Sequence, residues 1–565
     1  MVNKHTERRI LRVWGTCLLL AGLPLRADTG LIAHWPLAGD LQDHSGHGNH
    51  GRNHGADLTA AGRDGSPNGS ADFDGRDDYI EVEPSPSLRL GTGEFSITAW
   101  VHTDEHLDDV LGDVISKYDS AARRGFNFNI MNYAGVSSSQ SNYRNVAFGI
   151  DNAKLDRVWT DCGRPGNNLF VCALAVHEDQ LYAGTFETGP DESGHVYRYT
   201  GGTQWVDCGS PDGSNSVFTL AVFNGRLYAG TACYRAGGSA LPESPNQTPG
   251  GSVYRYDGGK KWSVCGQLEN ADTGTAITVH SLVVFGGKLY ASTIYKEGFG
   301  LYEYRDGQEW AYKGNPGRRV EILGLYNGHL YTTSYDDGVV SRYDPSGHWK
   351  HLGKPTGTTQ TYAFMVYEGN LHVTTWPNGS VFRLDRNDRW VNAGRLGEEQ
   401  EVMGVSVYNG KFYAGTLPLA QVYRYDGGTT WTNTGRLDRT PDVTYRRAWS
   451  MAVYKGKLYC GTLPSGHVLS IEAGKCVTYD RELKPGWRHL AAVRNRNRLE
   501  LYIDGARVAV SSTLDPADFD ISNDVPLRIG FGSHDYFRGK ISDLRIYDRA
   551  LNDADLHSNG FRGSK

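Results

Sequence analysis

Apolar and polar residues alternate along this chain in short runs separated by glycine-rich turns, a period of two that predicts strands. One stretch shows the unit: "FTLAVF" (218–223), the turn "NG", "RLYAGT" (226–231), a variable loop, "VYRY" (253–256) and "DGGKKW" (257–262). Asn-Gly at 224, 327 and 409 predicts type I′ hairpins, in which both central residues take positive φ.

The unit recurs. Aligned on the residue after the turn, its copies fall at Leu181, Leu227, Leu289, Leu330, Leu371, Phe412 and Leu458, with spacings of 46, 62, 41, 41, 41 and 46. That period, with four strand-like pieces in each copy, predicts the blades of a seven-bladed β-propeller. The spacing of 62 comes from "RAGGSALPESPNQTPGG" between the second and third strands, whose composition predicts a surface excursion. Tryptophan marks the fourth strand at Trp159, Trp205, Trp262, Trp310, Trp349, Trp390 and Trp431. Trp159 precedes the first copy and none follows the last, so the ring is expected to close with the Trp159 segment as the outer strand of the last blade.

The "DGGTTW" (426–431) and "DGGKKW" turns resemble the Asp-box hairpin of sialidases without its leading Ser or Thr, a structural turn in that family. The repeat also resembles kelch-type propeller repeats, lacking their double glycine. Flanking the block stand "DHSGHGNHG" (43–51), "ADFDGRDDYIEV" (71–82) and "FSITAWV" (95–101) on one side. "GWRHLAAV" (486–493), "LELYIDG" (499–505), "LRIGFG" (527–532) and "FRGKISDLRIYDRAL" (537–551) stand on the other. Together these resemble the laminin-G-like, or concanavalin A-like, jelly roll of secreted multidomain proteins. Half a sandwich cannot bury its own face, so the two parts must meet. The expected fold is all-β: a jelly roll in two parts, 28–155 and 478–565, with the propeller (156–477) inserted after "AFGID" (147–151).

Composition agrees and adds a location. Across 565 residues, 71 Gly, 33 Tyr and 13 Trp suit short strands and tight turns. Lys4, Arg8, Arg9 and Arg12 precede the apolar "VWGTCLLLAGLPL", and "LRA" precedes Asp28, the layout of a signal peptide cleaved after Ala27. An uncleaved anchor is the alternative, and Arg8-Arg9 is a weak twin-arginine match. The mature protein is therefore expected to be secreted, periplasmic or on the cell surface, with no membrane span. Removing residues 1–27, with five Lys/Arg and one Glu, takes the formal charge from −6 to −10, which argues against a nucleic-acid partner. Of eight Cys, Cys17 lies in the signal, and no C-x-x-C pair points to zinc. Cys162, Cys208 and Cys265 read as repeat-core positions, with Cys162–Cys476 the first disulfide to test.

Candidate chemistry gathers where inner strands begin and second strands end, at one mouth of the channel. Counting eleven before each anchor gives Phe170, Ser216, Thr278, Arg319, Gln360, Glu401 and Arg447, and nine before gives Cys172, Phe218, His280, Glu321, Tyr362, Met403 and Trp449. Five or six after come Tyr295, Tyr335, Asp336 and Trp376. His280, Tyr295, Arg319, Tyr335, Tyr362, Trp376, Arg447 and Trp449 form the expected ligand site, with flat rings for pyranose faces and guanidinium forks for carboxylates or sulfates. Inner-ring packing is the plain alternative for Tyr362 and Trp449. The partner expected is an extracellular glycan or polysaccharide, bound without catalysis. The alternatives are a uronate-polymer lyase, with His280 or Tyr362 as base and Arg319 or Arg447 as neutraliser, or a protein-binding scaffold. No cofactor is called for. Jelly rolls similar to this one often hold a structural calcium, for which Asp40, Asp43, Asp74 and Asp543 lie in suitable stretches, turn-forming roles being an equal reading.

Overall fold

The Asn-Gly turns have the backbone that their chemistry predicts: φ is 48° and 67° at Asn224 and Gly225, 49° and 73° at Asn327 and Gly328, and 45° and 74° at Asn409 and Gly410. At Asn224 two four-strand sets are linked through the pair Phe186–Ser216, and the turns at Asn327 and Asn409 each join two strands of a four-stranded antiparallel sheet. In the Phe412 repeat these are Glu401–Tyr408, Lys411–Leu417, Gln421–Gly427 and Thr430–Arg436, in that order. The last repeat takes its outer strand from the start of the block, Trp159–Asp161 pairing with Val468–Ile471. Successive inner strands pack side by side, and Phe170–His177 packs against Arg447–Tyr454, so the circle is closed. The structure, a computed structural model, describes residues 29–560, and the fold is all-β. The signal segment expected at 1–27 lies outside the described residues. No helix among the described residues is long and apolar enough to cross a membrane.

Two repeated contacts account for the aromatic richness. Trp205, Trp262, Trp310, Trp390 and Trp431 each donate the indole N–H to a carbonyl of the preceding sheet, those of Cys162, Cys208, Cys265, Leu352 and Ala393, at 2.8–3.1 Å. Tyr199, Tyr256, Tyr304 and Tyr425 each donate to a glycine carbonyl in the tight turn that follows. Each indole bond is worth about 1 kcal/mol net and fixes the angle between neighbouring sheets.

The flanking segments form the two sheets of one sandwich. One runs Asp57–Ala60, Ser70–Asp74, Arg538–Tyr547, Phe95–Thr103, Gly486–Asn495, Arg498–Ile503 and Ala506–Val510. The other runs Gly51–His54, Tyr79–Val82, Leu527–Ile529, Leu111–Asp119, Arg124–Tyr133, Asn142–Asn152 and Lys475–Tyr479. Strands from both parts interleave around one apolar core that includes Trp35, Phe73, Phe95, Phe148, Leu490 and Ile546. The propeller interrupts an antiparallel pair: Ile150 lies opposite Lys475 and Val146 opposite Tyr479. Residues 475–477, assigned to the repeat block on sequence, therefore run in a sandwich strand. The disulfide expectation is corrected. All seven cysteines from Cys162 to Cys476 are free and buried. Cys162 packs between repeats with its thiol 3.3 Å from Ser470 Oγ, while Cys476 sits in the sandwich sheet opposite Gly149.

One sandwich hairpin reaches into the propeller. Between Arg124–Tyr133 and Asn142–Asn152, the tip at 134–141 is wholly buried. Inner strands meet it with β-bulges, each of which takes a backbone group out of the ladder. The bulges at Val217/Thr219, Thr361/Phe364 and Val402/Val405 free groups that the tip then pairs. Ser138 Oγ donates to Phe218 O at 2.8 Å, Phe364 N donates to Gly135 O at 2.8 Å, and Val405 N donates to Val136 O at 3.3 Å. Gln140 Oε1 accepts from Val284 N at 2.9 Å, and Tyr133 Oη donates to Val407 O at 3.0 Å. The tip therefore stoppers the channel from the sandwich side. Beside it, Asn409 of the Asn-Gly turn donates to Ile150 O and Ala473 O, and Lys411 makes a buried ion pair with Asp151.

Candidate functional site

Opposite the stoppered end lies the face where inner strands begin. The residues eleven and nine before each anchor lie at or just ahead of the starts of the inner strands, which brings most of them to this mouth. A cavity of about 240 Å³ lies there. His280, Tyr295, Arg319, Tyr335, Tyr362, Trp376, Arg447 and Trp449, the residues named from the sequence, all line it. Glu321, Gln360, Glu401 and Phe218, from the same two register positions, join them.

Five further residues, none of them named from the sequence, complete the lining, among them Gly238 and Ile294. Tyr234 and Arg235 come from the Leu227 repeat and Tyr445 from the loop ahead of the last inner strand. The insertion after Tyr234 is more than a surface excursion. Ala236 and Ser239 are fully buried, Leu241 packs against the cluster of Phe170, Phe218 and Trp449, and Arg447 Nη1 donates to Ser239 Oγ. The insertion thus folds over the mouth. Its Gly/Ser/Pro composition hid this, because polar loop residues that bury by pairing with a side chain leave no apolar pattern.

The walls are aromatic. Phe170 meets Trp449 edge to face at 4.9 Å, Tyr335 and Tyr362 meet at 6.4 Å, and Trp376 meets Tyr445 at 6.3 Å. The floor is polar and desolvated. His280 and Glu321 are 2 % and 1 % exposed, with Nε2 and Oε1 3.7 Å apart, and the imidazole stacks on Phe218 at 4.6 Å. Arg447 Nε stands 3.4 Å from Glu401 Oε1, both side chains being buried. Both ring nitrogens of His280, Glu321 Oε2 and Trp449 Nε1 have no hydrogen-bond partner, while Glu401 Oε1 and Arg447 Nε meet each other as an ion pair without a hydrogen bond. Buried polar atoms are nearly always paired, so unpartnered ones around a single cavity stand out.

Burial also sets the protonation of the floor. It pushes His280 down to about 3, so the ring is neutral at physiological pH. Burial, reinforced by the charge of Glu401, pushes Glu321 well above the carboxylate range. Glu401 is raised by burial too, with Arg447 and the Tyr362 hydroxyl opposing. Tyr362 lies well above its ordinary value through burial and the two glutamates. The floor thus offers neutral donors and acceptors beside one carboxylate–guanidinium pair.

The aspartates singled out for calcium do not converge. Asp43 accepts from the backbone N–H groups of His34, Ser45 and Asn49 and from Ser45 Oγ, and Asp40 caps Gln42 N. Asp543 is taken by His34 and Arg545. Asp74 stands instead with Asp77 and Asp78, their carboxylate oxygens within 4.8 Å of one another as a metal ion would need, and its Oδ1 accepts from the backbone of Arg76. Most of these oxygens are spent on turns and ion pairs, and the four residues do not form one coordination sphere.

A family model described as the concanavalin A-like lectin/glucanases superfamily matches residues 468–557. Among solved structures, the chain is similar to a streptogramin B lyase at 10 % identity, over 55 % of this chain and 96 % of the other, with TM-score 0.43. It is similar to the virginiamycin B lyase of Staphylococcus aureus at 9 % identity, over 57 % and 99 %, with TM-score 0.42. The WD40 β-propeller domain of Doa1 shares 11 % identity over 56 % and 96 %, with TM-score 0.38. Comparison with curated proteins returned no match.

Proposed function

We propose that this is an exported carbohydrate-binding protein, and that its ligand enters the mouth of a seven-bladed, kelch-like propeller carried by a laminin-G-like sandwich. The observation that carries the reading is the set of orphaned buried polar atoms on the cavity floor beneath an aromatic wall. A sugar ring meets both demands, with an apolar face for Tyr335, Tyr362 or Trp376 and hydroxyls that donate and accept at once. Screening the full mature chain on a glycan array tests it, followed by calorimetry with Trp449→Ala. The expected result is a defined set of glycans whose binding falls at least about tenfold in the variant. Array binding untouched by Trp449→Ala would place recognition elsewhere.

A second reading is favoured by one observation: two buried glutamates sit in unlike settings, Glu321 with Oε2 unpartnered and Glu401 facing Arg447. Carboxyls whose environments separate their protonation are suited to general acid and base roles in glycoside hydrolysis. Glu321 would give its proton to the glycosidic oxygen as the C–O bond breaks. A water oxygen would bond to the anomeric carbon, its proton passing to Glu401. Release of 4-nitrophenol from aryl glycosides tests this, with Glu321→Gln expected to abolish turnover while glycan binding persists. Elimination from a uronate is less well supported, because a histidine held down to about 3 is a weak base.

A further inference from the structure

The three arginines at the mouth each have a carboxylate of their own. Arg319 Nη2 lies 2.6 Å and its Nε 2.7 Å from Asp336 Oδ1, while the Arg319 backbone N–H donates to Oδ2 at 2.9 Å. Arg235 Nη2 lies 2.7 Å from Glu297 Oε1. Arg447 faces Glu401 at 3.4 Å and gives Nη1 to Ser239. Each guanidinium also lies over an aromatic ring, at 5.0 Å for Arg319 on Tyr335, 4.6 Å for Arg235 on Tyr295 and 5.7 Å for Arg447 on Trp449. The fork of Arg319 is engaged by Asp336, and Arg235 and Arg447 each face a carboxylate, so these arginines serve as struts of the wall.

We infer that the ligand of this site is a single uncharged sugar ring, the end residue of a neutral glycan, and that uronate and sulfated sugars are excluded. The inference rests on the sugar-binding reading of the mouth and reverses the expectation that its arginines serve acidic groups. Three cations are met by three carboxylates, so an entering anion finds no free positive charge. It must also lose its water beside Glu401, a cost that no unpaired guanidinium offsets. The free groups on the floor, the His280 nitrogens, Glu321 Oε2 and Trp449 Nε1, suit hydroxyls: neutral partners that donate and accept. Burial favours the uncharged forms of His280 and Glu321, in keeping with that match. Size sets the other half. A cavity of about 240 Å³ falls below the roughly 300–1,000 Å³ of pockets for drug-sized ligands, and the hairpin tip closes the channel beneath it, so a polymer cannot thread through.

The test is calorimetry of the full chain at low ionic strength against matched methyl glycosides: glucoside with glucuronide, galactoside with galacturonide. The neutral member of at least one pair should bind at least about tenfold more tightly than its acid. Asp336→Asn, which frees Arg319 at a partly exposed position, should shift the neutral-to-acid ratio at least about tenfold toward the acid. Equal or tighter binding of uronates by the wild-type chain overturns the inference while the sugar reading stands, and an unchanged ratio in Asp336→Asn overturns the role given to the ion pair. If no glycoside of either kind binds, the sugar reading itself fails and this inference falls with it.

Discussion

Gln140 at the hairpin tip is the sharpest probe of how sandwich and propeller are joined. It is fully buried, its Oε1 accepts from Val284 N at 2.9 Å, and its Nε2 donates to Asn132 Oδ1 at 3.1 Å. Gln140→Ala removes both bonds and strands an amide N–H on one inner strand and a carbonyl oxygen on the hairpin. Each unsatisfied buried group costs about 1–3 kcal/mol, and water entering the space returns part of it, so a loss of about 3 kcal/mol is expected. At about 1.4 kcal/mol per decade, protection of the amides around Val284 against hydrogen exchange should fall roughly a hundredfold. Exchange read by mass spectrometry should show the change in Ser281–Phe285 and in 134–141, and much less in outer strands such as Glu309–Tyr312. Exchange around Val284 within about threefold of wild type would refute the claim that the tip is a wedge paired to the inner strands.

Removing the cation in Arg447→Met leaves Glu401 buried without its partner, a loss of about 3–5 kcal/mol that protonation relieves, so the drop in melting temperature should be larger at pH 8 than at pH 5. Asp480 is pushed up to about 7 by burial, against its bonds to Thr478 and Lys455. Between pH 4 and 7 the folded state then keeps a proton that the unfolded chain has released, so this group's contribution to stability falls as pH rises through that window. Asp480→Asn should remove a fall of about 1 kcal/mol per pH unit from the unfolding free energy read by urea titration, and an unchanged slope would contradict the assignment. Asn409→Ala forces a side chain less suited to φ of 45° and deletes bonds to Ile150 O and Ala473 O, so a loss of about 2–3 kcal/mol in chemical denaturation is expected.

Much of the propeller was legible because its turn chemistry repeats. Once the Asn-Gly copies fix the hairpin, the aligned Gly-Gly and Lys-Gly turns take the same register, and counting back from Leu289 or Leu458 reaches His280 and Trp449 without any structure. What stayed hidden depends on partners distant in sequence. "GVSSSQS" (135–141) reads as a polar surface loop, and only the bulges of inner strands beyond residue 170 show where its hydrogen bonds go. A signal was present: no charged residue or histidine occurs from Phe126 to Tyr143, far longer than an exposed hairpin tolerates without reason. The insertion after Tyr234 was misread for the same cause, since Ser239 is buried by pairing with Arg447, 208 residues away. Asp336 was noted beside Tyr335, yet its grip on Arg319 is set by how one second strand ends beside an inner strand.

The central claim is that recognition belongs to the propeller mouth rather than to the sandwich, and a crystal structure of the full chain soaked with its tightest glycan tests it most directly. The account predicts one sugar ring in the mouth, its hydroxyls bonded to His280, Glu321 or Trp449 and one face against the aromatic wall. A glycan bound on the sandwich, with the mouth empty at saturating ligand, would contradict it.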